Sequence, residues 1–157
     1  MGAPLLVIDV ENQTAFLEED GELLRRYRIS TAAAGTGNTA GSLRTPTGLL
    51  RVAEKIGGDA PIGAVFRSRV PTGEVWSLSP ENPLARNEED LVLTRILWLA
   101  GAEAENANTF ERFIYLHGTN HEADLGRPAS HGCIRFANTD IIDLFERLPI
   151  GALVEIR

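Results

Sequence analysis

The chain has 157 residues, 43% of them hydrophobic and 24% charged, and a net charge of −7. Residues 1–157 are one domain's worth of chain, with enough apolar mass for a core and too evenly spread a charge for disorder. No basic cluster appears beyond Arg25, Arg26 and Arg28, so neither nucleic acid nor an anionic membrane is an expected partner. Fifteen glycines, eight prolines and short β-branched runs lean toward a mainly β fold.

Residues 5–10 (LLVIDV) read as a buried strand. Asp9 interrupts them too early for a secretory signal, which needs roughly 7–15 apolar residues after a basic start. If Met1 is the native start, the protein is expected in the cytosol; with a leader removed it would belong to the periplasm or cell envelope. Residues 14–17 and 23–29 flank Asp20-Gly21, a two-residue hairpin signal. Residues 30–45 are rich in Gly, Ala, Ser and Thr and read as a loop, closed by Thr45-Pro46-Thr47-Gly48, where the proline pushes Thr45 toward an extended conformation. Residues 49–53 and 62–70 look like strands. Residues 71–89, polar and with Pro80 and Pro83, read as a long surface excursion of the kind that forms lids, with Trp76 or Trp98 as candidate walls. Core packing is the ordinary alternative for both tryptophans. Residues 90–99 (DLVLTRILWL) fit a strand and a helix equally. Residues 113–116 read as a core strand that delivers His117. Asn138 can cap a helix whose apolar face is Ile141, Ile142, Leu144, Phe145 and Leu148, stopped by Pro149 and Gly151. Residues 152–156 read as a closing strand.

All three histidines and the only cysteine fall between residues 117 and 133, in HGTNHEADLGRPASHGC. A thiol is a poor nucleophile until it is a thiolate, and a neighbouring imidazole can take its proton. Ser130-His131-Gly132-Cys133 reads as a tight turn before a helix; Gly132 supplies backbone freedom, and amides at such a turn can hold an oxyanion. A lone cysteine beside Ile134 is ordinarily a small buried hydrophobe, but four such residues crowded into a Gly/Pro-rich loop argue for a site. Zinc competes with catalysis here. His117 and His121 have i, i+4 spacing, and His131 with Cys133 could complete four ligands. The spacing converges only on a helix, which Gly118-Thr119-Asn120 after an apolar strand does not favour.

The same block resembles the catalytic motif of the L,D-transpeptidase (YkuD-domain) family: a histidine, a spacer of mid-teens length, Ser/Thr-His-Gly-Cys, an aliphatic residue, then Asn or Arg. Here it is His117, then Ser130-His131-Gly132-Cys133-Ile134-Arg135. The likeness extends to Gly126-Arg127-Pro128-Ala129, to Asn138-Thr139-Asp140, and to Ser30-Thr31 and Thr45-Pro46-Thr47-Gly48, while residues 71–89 match loosely. The resemblance implies a β-sandwich with a helix packed against it and a cleft under a lid. It implies Cys133 as the acylated nucleophile, His117 as its base, a backbone carbonyl near Gly118 as third element, and His131 by an oxyanion site made with the amides of Gly132 and Cys133. Arg135 would clamp substrate carboxylates, with Ser130 and Arg127 as further substrate contacts. His121 has no role in the motif. No cofactor and no metal are implied.

The implied chemistry is attack on the bond between the L-centre of a third-position diamino acid and the following D-alanine of a peptidoglycan tetrapeptide, through a thioester on Cys133. Water as acceptor makes an L,D-carboxypeptidase that trims recycled tetrapeptide to tripeptide, the reading preferred if Met1 is the native start. An amine acceptor makes a transpeptidase of the cell envelope. Carbapenem β-lactams would acylate the same cysteine.

Overall fold

The computed structural model describes residues 2–157. Strands β1 (Leu5–Asp9), β2 (Thr14–Glu19) and β3 (Glu22–Ser30) form an antiparallel meander. Asp20 and Gly21, at φ 54° and 78°, make the two-residue turn between β2 and β3 that the Asp-Gly pair predicts. After the loop of residues 31–47 come β4 (Gly48–Ile56), the hairpin β5 (Ala64–Arg67) and β6 (Val70–Val75), and the long β7 (Val92–Gly101). β8 (Tyr115–Gly118), β9 (Ile134–Phe136), helix α1 (Asn138–Arg147) and β10 (Leu153–Ile156) complete the chain.

The strand order β4-β10-β1-β2-β3-β9-β8-β7 is closed by a further pairing of β7 with β4, and β5 and β6 hang off β7. The sheet therefore folds over on itself, and the mainly β expectation holds. The closing strand β10 is an interior one, parallel to β1 and antiparallel to β4. Inward-facing Leu6, Ile8, Leu17, Ile29, Leu50, Leu97, Leu99, Leu116, Ile134 and Phe136 make the main core, and α1 lays Ile141, Leu144 and Leu148 into it. Each such side chain contributes roughly 1.5–3 kcal/mol by leaving water.

Successive strand residues face opposite ways. Leu97, Leu99 and Leu116 therefore point into the main core, while Ile96, Trp98 and Tyr115 face a second cluster with Ala64 and Phe66, against which Cys133 packs. One open expectation is resolved and two are corrected in detail. The ambiguous run 90–99 is strand, buried along almost its whole length because both faces are covered. The strand expected over 62–70 is cut by a turn at Ser68 and Arg69. β8 begins two residues later than expected, because Phe113 takes a left-handed φ of 57°.

Candidate active site

Cys133 ends a turn that leads into β9, not into a helix as expected. β9 pairs in parallel with β8 at once, Leu116 opposite Ile134, and α1 starts only at Asn138. Gly132 takes φ 130°, a conformation that side-chain-bearing residues rarely adopt. Buried Ser130 donates from Oγ to Cys133 O at 2.6 Å and accepts the Gly132 N–H at 3.3 Å. Its hydroxyl thus builds the turn, where substrate contact was expected. The Gly132 amide is engaged by Ser130, so of the two expected oxyanion donors only the Cys133 amide is left free of it.

Two distant segments grip this turn. Thr45 Oγ1 donates to Gly132 O at 3.0 Å while accepting the Ala32 N–H at 2.9 Å. Thr31 O accepts the amides of Ala129 and Ser130, and Ala33 N–H donates to Ser130 O. Ser30 Oγ donates to Arg127 O at 2.7 Å. The Ser30-Thr31 and Thr45-Pro46 pieces therefore hold the backbone of the turn that carries Cys133.

The thiol lies between two backbone groups. Tyr115 N–H donates to Sγ at 3.3 Å, and Sγ donates to Phe113 O at 3.4 Å. Burial pushes the Cys133 thiol up to about 12, with the Tyr115 amide opposing. It is held as a neutral thiol. His117, 2% exposed, stands two residues beyond Tyr115 and so on the same face of β8. Its Nδ1 lies 2.6 Å from Gly118 O. A carbonyl can only accept, so Nδ1 carries the proton and Nε2 offers a lone pair. Burial holds this imidazole below the ordinary 6.5, against the pull of Asp90. Burial thus favours the uncharged form of both groups. The thiol donates to Phe113 O and, among the described residues, makes no hydrogen bond to His117.

Gly118 is required by its surroundings. A Cβ there would lie 2.3 Å from Asn138 Oδ1 and 2.8 Å from Leu93 O. Asn138, expected as a helix cap, is the first residue of α1, after Ala137. Its buried amide accepts from Thr94 Oγ1 at 2.6 Å and donates to Thr119 O at 2.8 Å and Glu122 Oε2 at 2.9 Å. Thr94 has φ 76°, rare for a β-branched residue, where the β7–β8 register shifts between Leu93 and Ile96. This network fixes the segment whose carbonyl orients His117.

The structure corrects the placing of the arginines. Arg135 is 3% exposed; its Nη2 lies 2.9 Å from Asp90 Oδ2 and its Nη1 3.9 Å from Asp124 Oδ2. It is a buried ion pair and not an open clamp. Arg127 is 70% exposed and pairs with Asp124 at the surface. His131 is 68% exposed, with Nδ1 3.6 Å from Asp90 Oδ2, and lines a cavity of about 200 Å³ with Leu43, Glu111, Arg112 and Ile114. Asp90, at the edge of the ambiguous run, is the residue that sequence reasoning missed. It touches Arg135 and His131, and its charge acts on both His117 and Cys133.

β6 takes residues 70–75 into the hairpin, so the expected excursion shrinks to residues 77–90, and these are tied down. His121 Nε2 lies 3.2 Å from both Glu88 O and Glu89 O, and Asn120 Nδ2 donates to Asn87 O and Glu89 O. His121 is a tie for the loop that carries Asp90. Among the described residues no three of His, Cys, Asp and Glu gather as metal ligands, so the zinc reading finds no support. Trp76 packs in a small separate core with Val65, Leu91 and Leu93, whereas Trp98 lies in the cluster that holds Cys133, stacked on Phe110 at 3.9 Å. A larger cavity, of about 410 Å³, lies behind the hairpin among Gly57, Pro61, Phe66 and Pro71, and Cys133 does not line it.

Comparison with known proteins gives consistent results. A family model for the L,D-transpeptidase catalytic domain (YkuD) matches residues 3–156. YqjB of Bacillus subtilis strain 168, assigned as an L,D-transpeptidase, is 36% identical over 76 residues, which are 48% of this chain and 36% of that protein. The L,D-transpeptidase of Xylanimonas cellulosilytica DSM 15894 shares the fold at a TM-score of 0.62 and 20% identity, over 99% of this chain and 61% of that one. LdtMt1 in complex with imipenem does so at 0.60 and 20% identity, over 99% and 59%. L,D-transpeptidase 3 of Mycobacterium tuberculosis, carrying a faropenem-derived adduct, does so at 0.61 and 16% identity, over 99% and 60%. The matches span about a third of YqjB and about three-fifths of these structures.

Proposed function

This chain belongs to the YkuD family of L,D-transpeptidase catalytic domains, and from that premise we infer that it cleaves peptidoglycan tetrapeptides after the L-centre of the third residue, through a thioester on Cys133. The observation that carries this reading is the buried, neutral His117, its tautomer set by Gly118 O and its free Nε2 on the face of β8 that meets Cys133. Nε2 takes the thiol proton as Sγ attacks the carbonyl carbon. The Cys133 amide supports the oxyanion. The C–N bond then breaks, His117 returns the proton to the leaving amine, and D-alanine departs. A second nucleophile attacks the thioester, gives its proton to His117, and releases the thiol. A strained β-lactam ring would be opened by the same first step.

The preference for water as acceptor, drawn from the N-terminus, has no counterpart in the site. An amine acceptor has room in the cavity that His131 lines: it lies beside the turn at Cys133, and Glu111 and Arg112 give it groups of both charges to match a free D-amino acid, whose amine attacks once deprotonated. On this reading the protein works as a transpeptidase in the cell envelope, with hydrolysis as the competing outcome. The test is mass spectrometry of products from purified tetrapeptide, with and without a D-amino acid acceptor. Free D-alanine together with the exchanged peptide is expected. Tripeptide as the sole product in both arms would assign a carboxypeptidase, and an untouched tetrapeptide would overturn the function.

A further inference from the structure

The β5–β6 hairpin turns on Ser68 and Arg69, the two residues between the paired Arg67 and Val70. Both have positive φ, 48° and 68°. Two-residue turns of this kind ordinarily take Asn-Gly or Asp-Gly, because a side chain is disfavoured there. Strain of this sort persists where the surroundings hold the residue, and it gathers at working sites.

Here the surroundings are aromatic. The Arg69 guanidinium lies 4.9 Å from the ring centroids of both Trp98 and Phe113. Its Nη1 donates to Tyr115 Oη at 2.9 Å. Phe113 and Tyr115 are also the residues that hold the thiol, through a carbonyl and an amide. Two separate residues thus bridge Arg69 to Cys133.

The other arginines near the thiol have their outer nitrogens engaged. Arg135 pairs with Asp90 and Asp124, only its buried Nε being left unpartnered, and Arg112 donates to the carbonyls of Gly37 and Arg44. Arg69 is half-buried and, among the described residues, has no carboxylate within ion-pair distance. A guanidinium fixed by stacking, with donors still free, suits a planar carboxylate or a phosphate, and of these the stem peptide offers the carboxylate.

We propose that Arg69 binds the carboxylate of the D-amino acid that leaves when Cys133 is acylated, an assignment that rests on the function inferred above. This carboxylate stands one residue from the scissile carbonyl, and Arg69 is held by the side chains of Phe113 and Tyr115, whose backbone groups contact the Cys133 thiol. Arg69 would thereby select stems that end at the fourth residue. A stem extended by another residue, or amidated, lacks the charge at that place.

The experiment compares tetrapeptide with its C-terminal amide on wild type, Arg69→Met and Arg69→Lys, following release of the fourth residue. Wild type is expected to favour the free acid by roughly 10- to 100-fold in kcat/KM, the range for a charge-assisted hydrogen bond. Arg69→Met is expected to lose that preference and Arg69→Lys to keep part of it. A wild type indifferent to amidation, or a preference that survives in Arg69→Met, overturns the assignment. Calorimetric binding of the same two peptides to Cys133→Ala, with and without Arg69→Met, needs no turnover. If wild type releases nothing but Cys133→Ala still prefers the acid through Arg69, the proposed function fails and only the carboxylate contact of Arg69 stands. If wild type turns over both peptides without discrimination, the function stands and the role of Arg69 fails.

Discussion

Asp20-Gly21 and Ser68-Arg69 are both two-residue hairpin turns with positive φ at each residue. The first uses residues that tolerate the conformation, and a side chain on Gly21 would meet nothing within 4 Å. The second places an arginine where glycine is preferred and ties it to Trp98, Phe113 and Tyr115. One tip obeys local preference and serves only the sheet. The other violates it and reaches the residues that hold the Cys133 thiol. Disagreement between a residue and its local conformation is thus a pointer to chemistry. The same contrast divides the two faces of β8: Leu116 fills the main core, while Tyr115 and His117 lie on the other face, where Tyr115 N–H donates to the thiol.

The largest effect expected on the working face is that of His117. His117→Ala should lower D-alanine release by roughly 10²–10⁴-fold, the usual range for a lost general base, with the circular dichroism spectrum unchanged. A loss under about tenfold would remove His117 from that role. Its pH behaviour sharpens the point. The folded His117 titrates below the ordinary 6.5, so the neutral base survives below that pH, and kcat/KM should decline only as pH falls through the lowered value. Between 6.5 and that lower value the unfolded chain takes a proton that native His117 refuses, so stability should also fall as the pH falls. On the alkaline side no thiol inflection near the ordinary value of about 8.5 is expected, since burial holds Cys133 far higher. An acid limb at or above 6.5 would contradict the buried, neutral imidazole.

Arg135 and Arg127 repeat the comparison at smaller scale. Arg135→Ala leaves Asp90 without its buried partner and should cost about 3–5 kcal/mol in urea unfolding. Arg127→Ala, at an exposed pair, should change stability by less than about 1 kcal/mol. Unchanged stability in Arg135→Ala, with kcat/KM alone reduced, would restore the clamp reading. The smallest effect is at the scaffold tip. Gly21→Ala puts a side chain at positive φ and should cost about 1 kcal/mol, with turnover of tetrapeptide unaltered. Altered turnover would show that the β2–β3 tip is not mere scaffold.

What the sequence makes legible follows the same division. The Asp20-Gly21 turn, the apolar face of α1 and the first strand are local patterns, and they are found where expected. Cys133, His117, Gly118 and Gly132 are conspicuous because rare chemistry is concentrated in one short, glycine-bearing segment. Asp90 and Arg69 are not legible. Each reaches the site through a tertiary contact, one to Arg135 and the other to Tyr115, and no local period announces either. Arg135 misleads for the converse reason: strand alternation puts it on the face of Cys133, but only the folded loop reveals the carboxylate that covers it. Asn138 looks like a cap because caps are local; its buried bonds to Thr94 and to the Thr119 carbonyl are not.

The central claim, that the neutral thiol at Cys133 becomes acylated, is tested most directly by intact-protein mass spectrometry after incubation with imipenem, a ligand of the structurally similar LdtMt1. One covalent adduct per chain on the wild type and none on Cys133→Ala is the expected result. No adduct after prolonged excess, or an adduct that persists in Cys133→Ala, would contradict it.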